Sequence, residues 1–233
     1  MDGLTHPMSS VGGSSARVAP ALRAVVVDDH DVFRLGLVRL LREEGIDVIG
    51  EASGGRAAIR LAEELRPEVV IMDLSMPGVD GIEATRRIVS GGSGTRVVVL
   101  SVSEEDEAVV EALVAGAAGF VRKDESLEKI LEVLGAAARG DTVIPPRIGG
   151  EIVRRLQAQA MSSADADGRV DLSERELEVL RLIVEGHDNA AIAKSLIISP
   201  HTVKNHVASI FCKLGVANRL QASVQALRRG LVL

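Results

Sequence analysis

Five times between residues 23 and 139, a short run rich in β-branched residues is followed by a single amphipathic stretch. The runs are Arg23–Val27, Asp47–Ala52, Val69–Asp73, Arg96–Ser101 and Gly119–Arg122. The helical stretches are Phe33–Glu44, Arg56–Leu65, Gly81–Val89, Glu104–Ala115 and Ser126–Arg139. Strands that alternate with single helices pair in parallel through right-handed crossovers and are covered on both faces. Five such units predict a doubly wound α/β domain with strand order 2-1-3-4-5, whose ligands gather at the carboxyl ends of the strands. Asp28 and Asp29 follow the first strand, Asp73 closes the third, Ser101 closes the fourth and Lys123 follows the fifth. Three converging carboxylates repel one another unless a hard cation neutralises them, and an all-oxygen set suits Mg²⁺. A carboxylate at the central Asp73 position can attack a phosphoryl group to form an aspartyl phosphate. Lys123 and the Ser101 hydroxyl are then placed to hold the phosphoryl oxygens through charge-assisted bonds. Taken singly, an Asp at a strand end is usually a turn or capping residue and a lone Lys a solvated cation. Their joint arrangement at four strand ends carries the inference.

The rest of the chain is built differently. Gly140–Val170 is broken by Pro145-Pro146 and Gly149-Gly150, with a short helix expected over Glu151–Ala160 and a flexible linker over Ser162–Gly168. Beyond it the pattern is all helical. Ser173 and Glu176 form an S-x-x-E capping box for a helix ending near Gly186. A short helix over Asn189–Leu196 follows. Ser199-Pro200 then opens a third helix that runs to Gly215, and a fourth covers Arg219–Arg229. In the third, Val203, Val207, Ile210, Phe211 and Leu214 form an apolar stripe. His201, Asn205, Ala208, Ser209 and Cys212 lie opposite, flanked by Thr202 and Lys204. A polar helix face behind a short helix and a tight turn fits a helix-turn-helix that enters a major groove.

Charge agrees with that division. The chain is net −6, yet residues 171–233 carry 8 basic and 6 acidic side chains, and none of the acids lies beyond Asp188. A segment without carboxylates can approach a polyanion. With three Phe and no Trp or Tyr, the core must be aliphatic. One cysteine, Cys212, excludes an internal disulfide and fits a reducing compartment. Residues 1–21 are polar and rich in Gly and Ser, so they read as a disordered tail rather than a signal peptide, and the expected location is cytoplasmic.

The motifs VVVDDHDVFRLGL, VVIMDLSMPGVDG, VVVLSVS and AGAAGFVRKD occur in order, and through them the chain resembles bacterial two-component response regulators. Residues 22–139 look like a receiver domain, 140–170 like a linker and 171–233 like a LuxR-type helix-turn-helix domain. The latter rests on LSERELEVLRLIVEGHDNAAIAKSLIISPHTVKNHVASIFCKLGV. A receiver followed by this domain is similar to the NarL/FixJ class. The resemblance implies that Asp73 is the phosphoacceptor. Asp28, Asp29, Asp73 and the Ser75 backbone carbonyl would organise Mg²⁺, and Ser101, Phe120 and Lys123 would form the switch. It implies a sensor histidine kinase as phosphodonor, homodimerisation on activation and double-stranded DNA as partner, touched by Lys194, Thr202, Lys204 and Asn205. Ser stands at the first switch position in place of Thr, and Phe at the second in place of Tyr. Ala208 and Cys212 stand where the family often carries polar or basic residues, which predicts weaker contact there.

That reading makes the chain a regulator rather than an enzyme. Two others remain at this point: a regulator controlled by a ligand or partner without phosphate, and an aspartate-nucleophile phosphatase. The second expects another Asp two residues after the nucleophile, where this chain has Ser75.

Overall fold

The computed structural model describes residues 21–102, 107–144, 149–152, 154–155 and 170–232. Five strands, β1 (Arg23–Val27), β2 (Asp47–Ala52), β3 (Val69–Asp73), β4 (Arg96–Ser101) and β5 (Gly119–Arg122), form one parallel sheet in the order β2-β1-β3-β4-β5. This is the expected order, and all five strands keep the bounds read from the sequence. The helices are α1 (Asp31–Glu43), α2 (Gly55–Leu65), α3 (Gly81–Ser90), α4 (Glu107–Ala115) and α5 (Leu127–Arg139).

Side chains along a strand alternate between faces, and both faces here are apolar. Val25, Val27, Val70, Met72, Val97, Val99 and Phe120 pack with α2, α3 and α4. Val26, Ile71, Val98, Leu100 and Val121 pack with α1 and α5. Helix α1 departs from the expected face. Leu37, Val38 and Leu41 are its buried residues, while Leu40 is 44% exposed. At 3.6 residues per turn, Leu40 sits roughly 100° around the helix from the centre of that stripe.

Between the sheet and the second unit, residues 149–152 and 154–155 are helical, so Gly149 and Gly150 lie in a helix instead of breaking the chain. Ile152 is fully buried against the α4 side of the sheet, and Arg155 reaches Glu107 at 2.8 Å. The expected tail, the remainder of the linker helix and Ser162–Gly168 lie outside the described residues.

Four helices follow: α6 (Glu174–Val184), α7 (Asn189–Leu196), α8 (Pro200–Leu214) and α9 (Arg219–Arg228). The expected stripe of α8 is buried in full against Val179, Leu180, Ile183, Ile192 and Ala222. Helix α8 has the predicted Ser199 cap, with Pro200 in its first turn and Gly215 left-handed at its end. Ser209 is the correction. It was expected on the polar face, but its hydroxyl donates to Glu176 Oε1 at 2.5 Å and so turns toward α6.

Glu176 does three things at once. It completes the capping box with the Ser173 backbone N–H (2.8 Å), accepts from Ser209, and pairs with Lys213 Nζ at 2.7 Å. Burial opposes its charge, yet Lys213, Ser209 and the cap together hold its pKa down at about 2. Sequence reading found the cap and missed its two links to α8. A lowered folded-state pKa means a contribution that is complete above the ordinary value near 4.5 and lost as pH falls through about 2. Glu176→Gln should therefore destabilise the helical unit by about 2 kcal/mol at neutral pH. In thermal melts the gap to the parent should narrow between pH 4.5 and pH 2.

Candidate functional site: an acidic pocket and an inter-domain seam

The parallel order brings β1 and β3 side by side, so Asp28 and Asp73 meet at their ends. Both are buried, at 0% and 1% exposure, whereas a quarter of the Asp29 side chain is open to solvent. Asp28, Asp29, His30 and Asp73 offer ligand atoms that all lie within 4.8 Å of one another. Lys123 enters from the loop after β5 and places its Nζ 2.8 Å from Asp28 Oδ2 and 2.9 Å from Asp73 Oδ2. Oδ2 of both residues and Oδ1 of Asp29 are nonetheless buried without a well-directed hydrogen bond. The ion pairs to Lys123 are close but poorly angled, and the His30 ring stands 2.9 Å from Asp29 Oδ1.

Burial pushes the Asp73 carboxyl above its ordinary value; the hydrogen bond from Lys123 offsets part of this, and the charge of Asp28 adds to it. Burial alone would lower the Lys123 pKa, but the two carboxylates win and raise it. One ammonium thus serves two buried anions. Three carboxylates with under-directed oxygens, and no soft ligand among them, fit a hard divalent cation.

Local structure holds this geometry. The Asp28 Oδ1 accepts from the His30 backbone N–H (2.8 Å), and Asp73 Oδ1 accepts from that of Ser75 (3.2 Å). Arg34, one turn into α1, donates to the Asp28 carbonyl at 2.7 Å. The Phe33 ring lies under Lys123, 5.0 Å from Nζ. Gly81 is required by contact: a Cβ there would stand 2.2 Å from the Asp73 carbonyl oxygen. Ser101 is buried at the end of β4, and Phe120 is buried within β5.

The polar face of α8 is largely exposed, with His201, Asn205, Ala208 and Cys212 open to solvent. It meets the sheet domain along one edge, where Lys204 Nζ donates to the Ala138 carbonyl of α5 at 2.6 Å. Asn189, at the start of α7, donates to the Arg139 carbonyl, and its backbone N–H to Asp141 at 3.2 Å. Asn218, the cap of α9, is buried and donates to the carbonyls of Leu113 (3.1 Å) and Ala117 (3.2 Å). Gln221 donates to the carbonyl of Val114 at 2.7 Å. The carbonyls at the end of α4 have no partner within the helix, and the second domain supplies one. Gly116, at φ +119, lies against Ala217 so tightly that a Cβ would come within 2.7 Å of it.

Comparison with known proteins agrees with both halves. The model of the response regulator receiver domain matches residues 24–135, and that of the bacterial regulatory proteins of the luxR family matches residues 170–226. The chain is 39% identical over 212 residues to the transcriptional regulatory protein LiaR of Bacillus subtilis (strain 168), covering 91% of this chain and 99% of that protein. It is 38% identical over 212 residues to the probable transcriptional regulatory protein NarL of Mycobacterium tuberculosis, covering 91% and 96%. A LuxR-family two-component response regulator from Aurantimonas sp. SI85-9A1 has a solved structure that superposes with a TM-score of 0.52 at 34% identity, over 58% of this chain and 97% of that one.

The chain is a two-component response regulator of the NarL/FixJ type. Its receiver is the sheet domain, its helix-turn-helix is the helical one, and it is a DNA-binding regulator of transcription. Asp28, Asp29, Asp73 and Lys123 are brought into one pocket, with Ser101 and Phe120 on the adjoining strands. Lys194, Lys204 and Asn205 are exposed and Thr202 is half-buried. His30, Phe33 and Arg34 were missed, although all three lie in the run that supplied the acidic pair. Nothing in the local sequence marked Asn218, Gln221 or Asp141 as contacts between domains.

Removing Lys123 leaves two buried carboxylates facing each other. Lys123→Ala should destabilise the receiver by about 3–5 kcal/mol. Added Mg²⁺ should recover more of the melting temperature in this variant than in the parent, because the ion replaces the lost charge. An equal Mg²⁺ response in both proteins would place the cation elsewhere.

Proposed function

We propose that this regulator is switched by phosphorylation of Asp73, and that the switch releases the helical domain from the receiver for DNA. The observation that carries the reading is the buried, under-bonded Asp73 carboxylate beside Lys123. The functional divisions are a receiver over 22–139, a linker over 140–170 and a DNA-binding domain over 171–233, in a cytoplasmic protein. Asp28, Asp29, Asp73 and the Ser75 backbone carbonyl would hold Mg²⁺, which would supply the charge neutralisation that lets a phosphoryl dianion approach.

An Asp73 carboxylate oxygen attacks the phosphorus of a phosphohistidine on a sensor kinase. The new O–P bond forms as the N–P bond breaks, and its electron pair leaves on the imidazole. Lys123 then gains a phosphoryl oxygen as partner, and the Ser101 hydroxyl donates to another. A contact that exists only with the phosphoryl group biases the population of states, as a contact common to both states does not. Phe120 is the buried ring whose packing responds. The α4 end and the turn that leads into the strand of Phe120 carry the carbonyls held by Asn218 and Gln221. Loosening them releases the DNA-binding domain, which pairs with a second copy on half-sites about one helical turn, ~10 bp, apart. Lys194 would meet phosphates, and Thr202, Lys204 and Asn205 would reach into the major groove.

Acetyl phosphate with Mg²⁺ should add one phosphoryl mass to the parent and none to Asp73→Asn. Undiminished labelling of that variant would sink the assignment. Asn218→Leu removes both inter-domain hydrogen bonds of that residue. It should retain duplex DNA in gel shifts without any phosphodonor, at least about tenfold more tightly than the untreated parent, equivalent to ~1.4 kcal/mol. Asn205→Ala, in the phosphorylated protein, should lose discrimination at one base pair per half-site, at a cost of roughly 1–3 kcal/mol.

A further inference from the structure

The seam between the domains encloses a cleft of about 590 Å³ that neither the acidic pocket nor the direct inter-domain bonds account for. Val89, Arg96 and Ala115 line it from the receiver, and Ala208, Phe211 and Cys212 from α8. No Asp or Glu lines it, although the chain as a whole is net negative. Two arginines reach it, and they differ. Arg86 is already held by Glu83 at 2.6 Å. Arg96 has no carboxylate within 4.0 Å among the described residues; its guanidinium stands over the Phe211 ring, 5.5 Å from the centroid. Burial lowers its pKa, and Asp141 opposes this only from a distance. A partly desolvated guanidinium without a directed anionic partner, set in apolar walls, is an unfilled half of an ion pair.

We propose that this cleft is a binding site for a small amphipathic carboxylate. Its headgroup takes the Arg96 guanidinium in a bidentate pair, and its hydrocarbon part lies along Val89, Ala115 and Phe211. The volume is in the range of small-molecule sites. A monoanion suits the site better than a phosphate dianion, because only one of the two cations is free. Both domains line the cleft, so the ligand binds the closed arrangement alone and stabilises it by mass action. By linkage, it weakens DNA binding as much as DNA weakens it. This last consequence, unlike the site, rests on the reading that the domains must part to bind DNA.

Cys212 gives a direct readout, since it is the chain's only cysteine, is exposed, and lies on the cleft wall. With octanoate as probe and the full unphosphorylated chain, millimolar ligand should slow the reaction of Cys212 with a disulfide reagent at least about fivefold, while octanol at the same concentration should not. Arg96→Gln should abolish the protection. Because Arg96 also packs on Phe211, Ala208→Glu provides an independent check. It sets a carboxylate at an exposed position on the cleft, satisfies Arg96 internally, and should likewise remove the octanoate effect. Absence of slowing in the parent, equal slowing by octanol, or full protection in either variant would overturn the site. Protection of Cys212 with undiminished DNA retention by the acetyl phosphate-treated protein would overturn the coupling and leave the site standing.

Discussion

Lys123 stands between two carboxylates that have no business being buried together. Asp28 and Asp73 lie at neighbouring strand ends because a parallel sheet in the order β2-β1-β3-β4-β5 puts β1 beside β3. Two like charges some 4 Å apart repel by about 4 kcal/mol at a protein-like effective dielectric. The ammonium from the loop after β5 offsets that repulsion, touching both carboxylates within 3 Å. The surrounding groups are arranged around this triad. The Phe33 ring supports the ammonium, Arg34 ties the start of α1 to the Asp28 carbonyl, and Gly81 lets α3 begin against the Asp73 backbone. A pocket poised between mutual repulsion and one shared cation is sensitive to any added charge, which is what a phosphoryl switch requires.

The second domain is fastened at the other end of the same machinery. It takes hold mainly of backbone carbonyls: Leu113, Val114 and Ala117 around the end of α4, and Ala138 and Arg139 at the end of α5. Carbonyls at helix ends are unsatisfied by construction, so each accepts a side-chain amide or ammonium without a special residue on the receiver. Asp141, just after α5, adds a charged link to Arg219 and the Asn189 N–H. Such contacts are few and polar. Each contributes little, because a net hydrogen bond is worth only about 0.5–1.5 kcal/mol. Lys204, a residue expected to touch DNA, is one of the donors, so its ammonium cannot hold the Ala138 carbonyl and reach DNA at once.

Much of this was legible before any coordinates. The strands kept their bounds because each, apart from β2 with its Gly50 and Glu51, is an apolar run ended by a charged or polar residue. Ser173, Ser199 and Gly215 capped their helices as the local chemistry requires. Errors came where a side chain had a choice. Ser209 lies beside the polar face of α8 by spacing, but a buried acceptor, Glu176, claims it from another helix. Leu40 is apolar, yet sits off the stripe that meets the sheet. Gly149 and Gly150 read as breakers and instead lie in a helix, held by the burial of Ile152.

By itself the sequence determined the order of elements, the parallel topology, the residues of the acidic pocket and the apolar stripe of α8. All of these follow from periodicity and from where charged residues interrupt it. Only the tertiary structure decided that Lys123 contacts both carboxylates, that Glu176 anchors α8, and that Lys204 of α8 is tied to the receiver. Each of those depends on partners far apart in the chain, such as Asn218 with Leu113 or Lys204 with Ala138. Half of every inter-domain pair is a backbone carbonyl or a common polar side chain. Such groups carry no distinctive residue type, so no pattern in the chain can announce them.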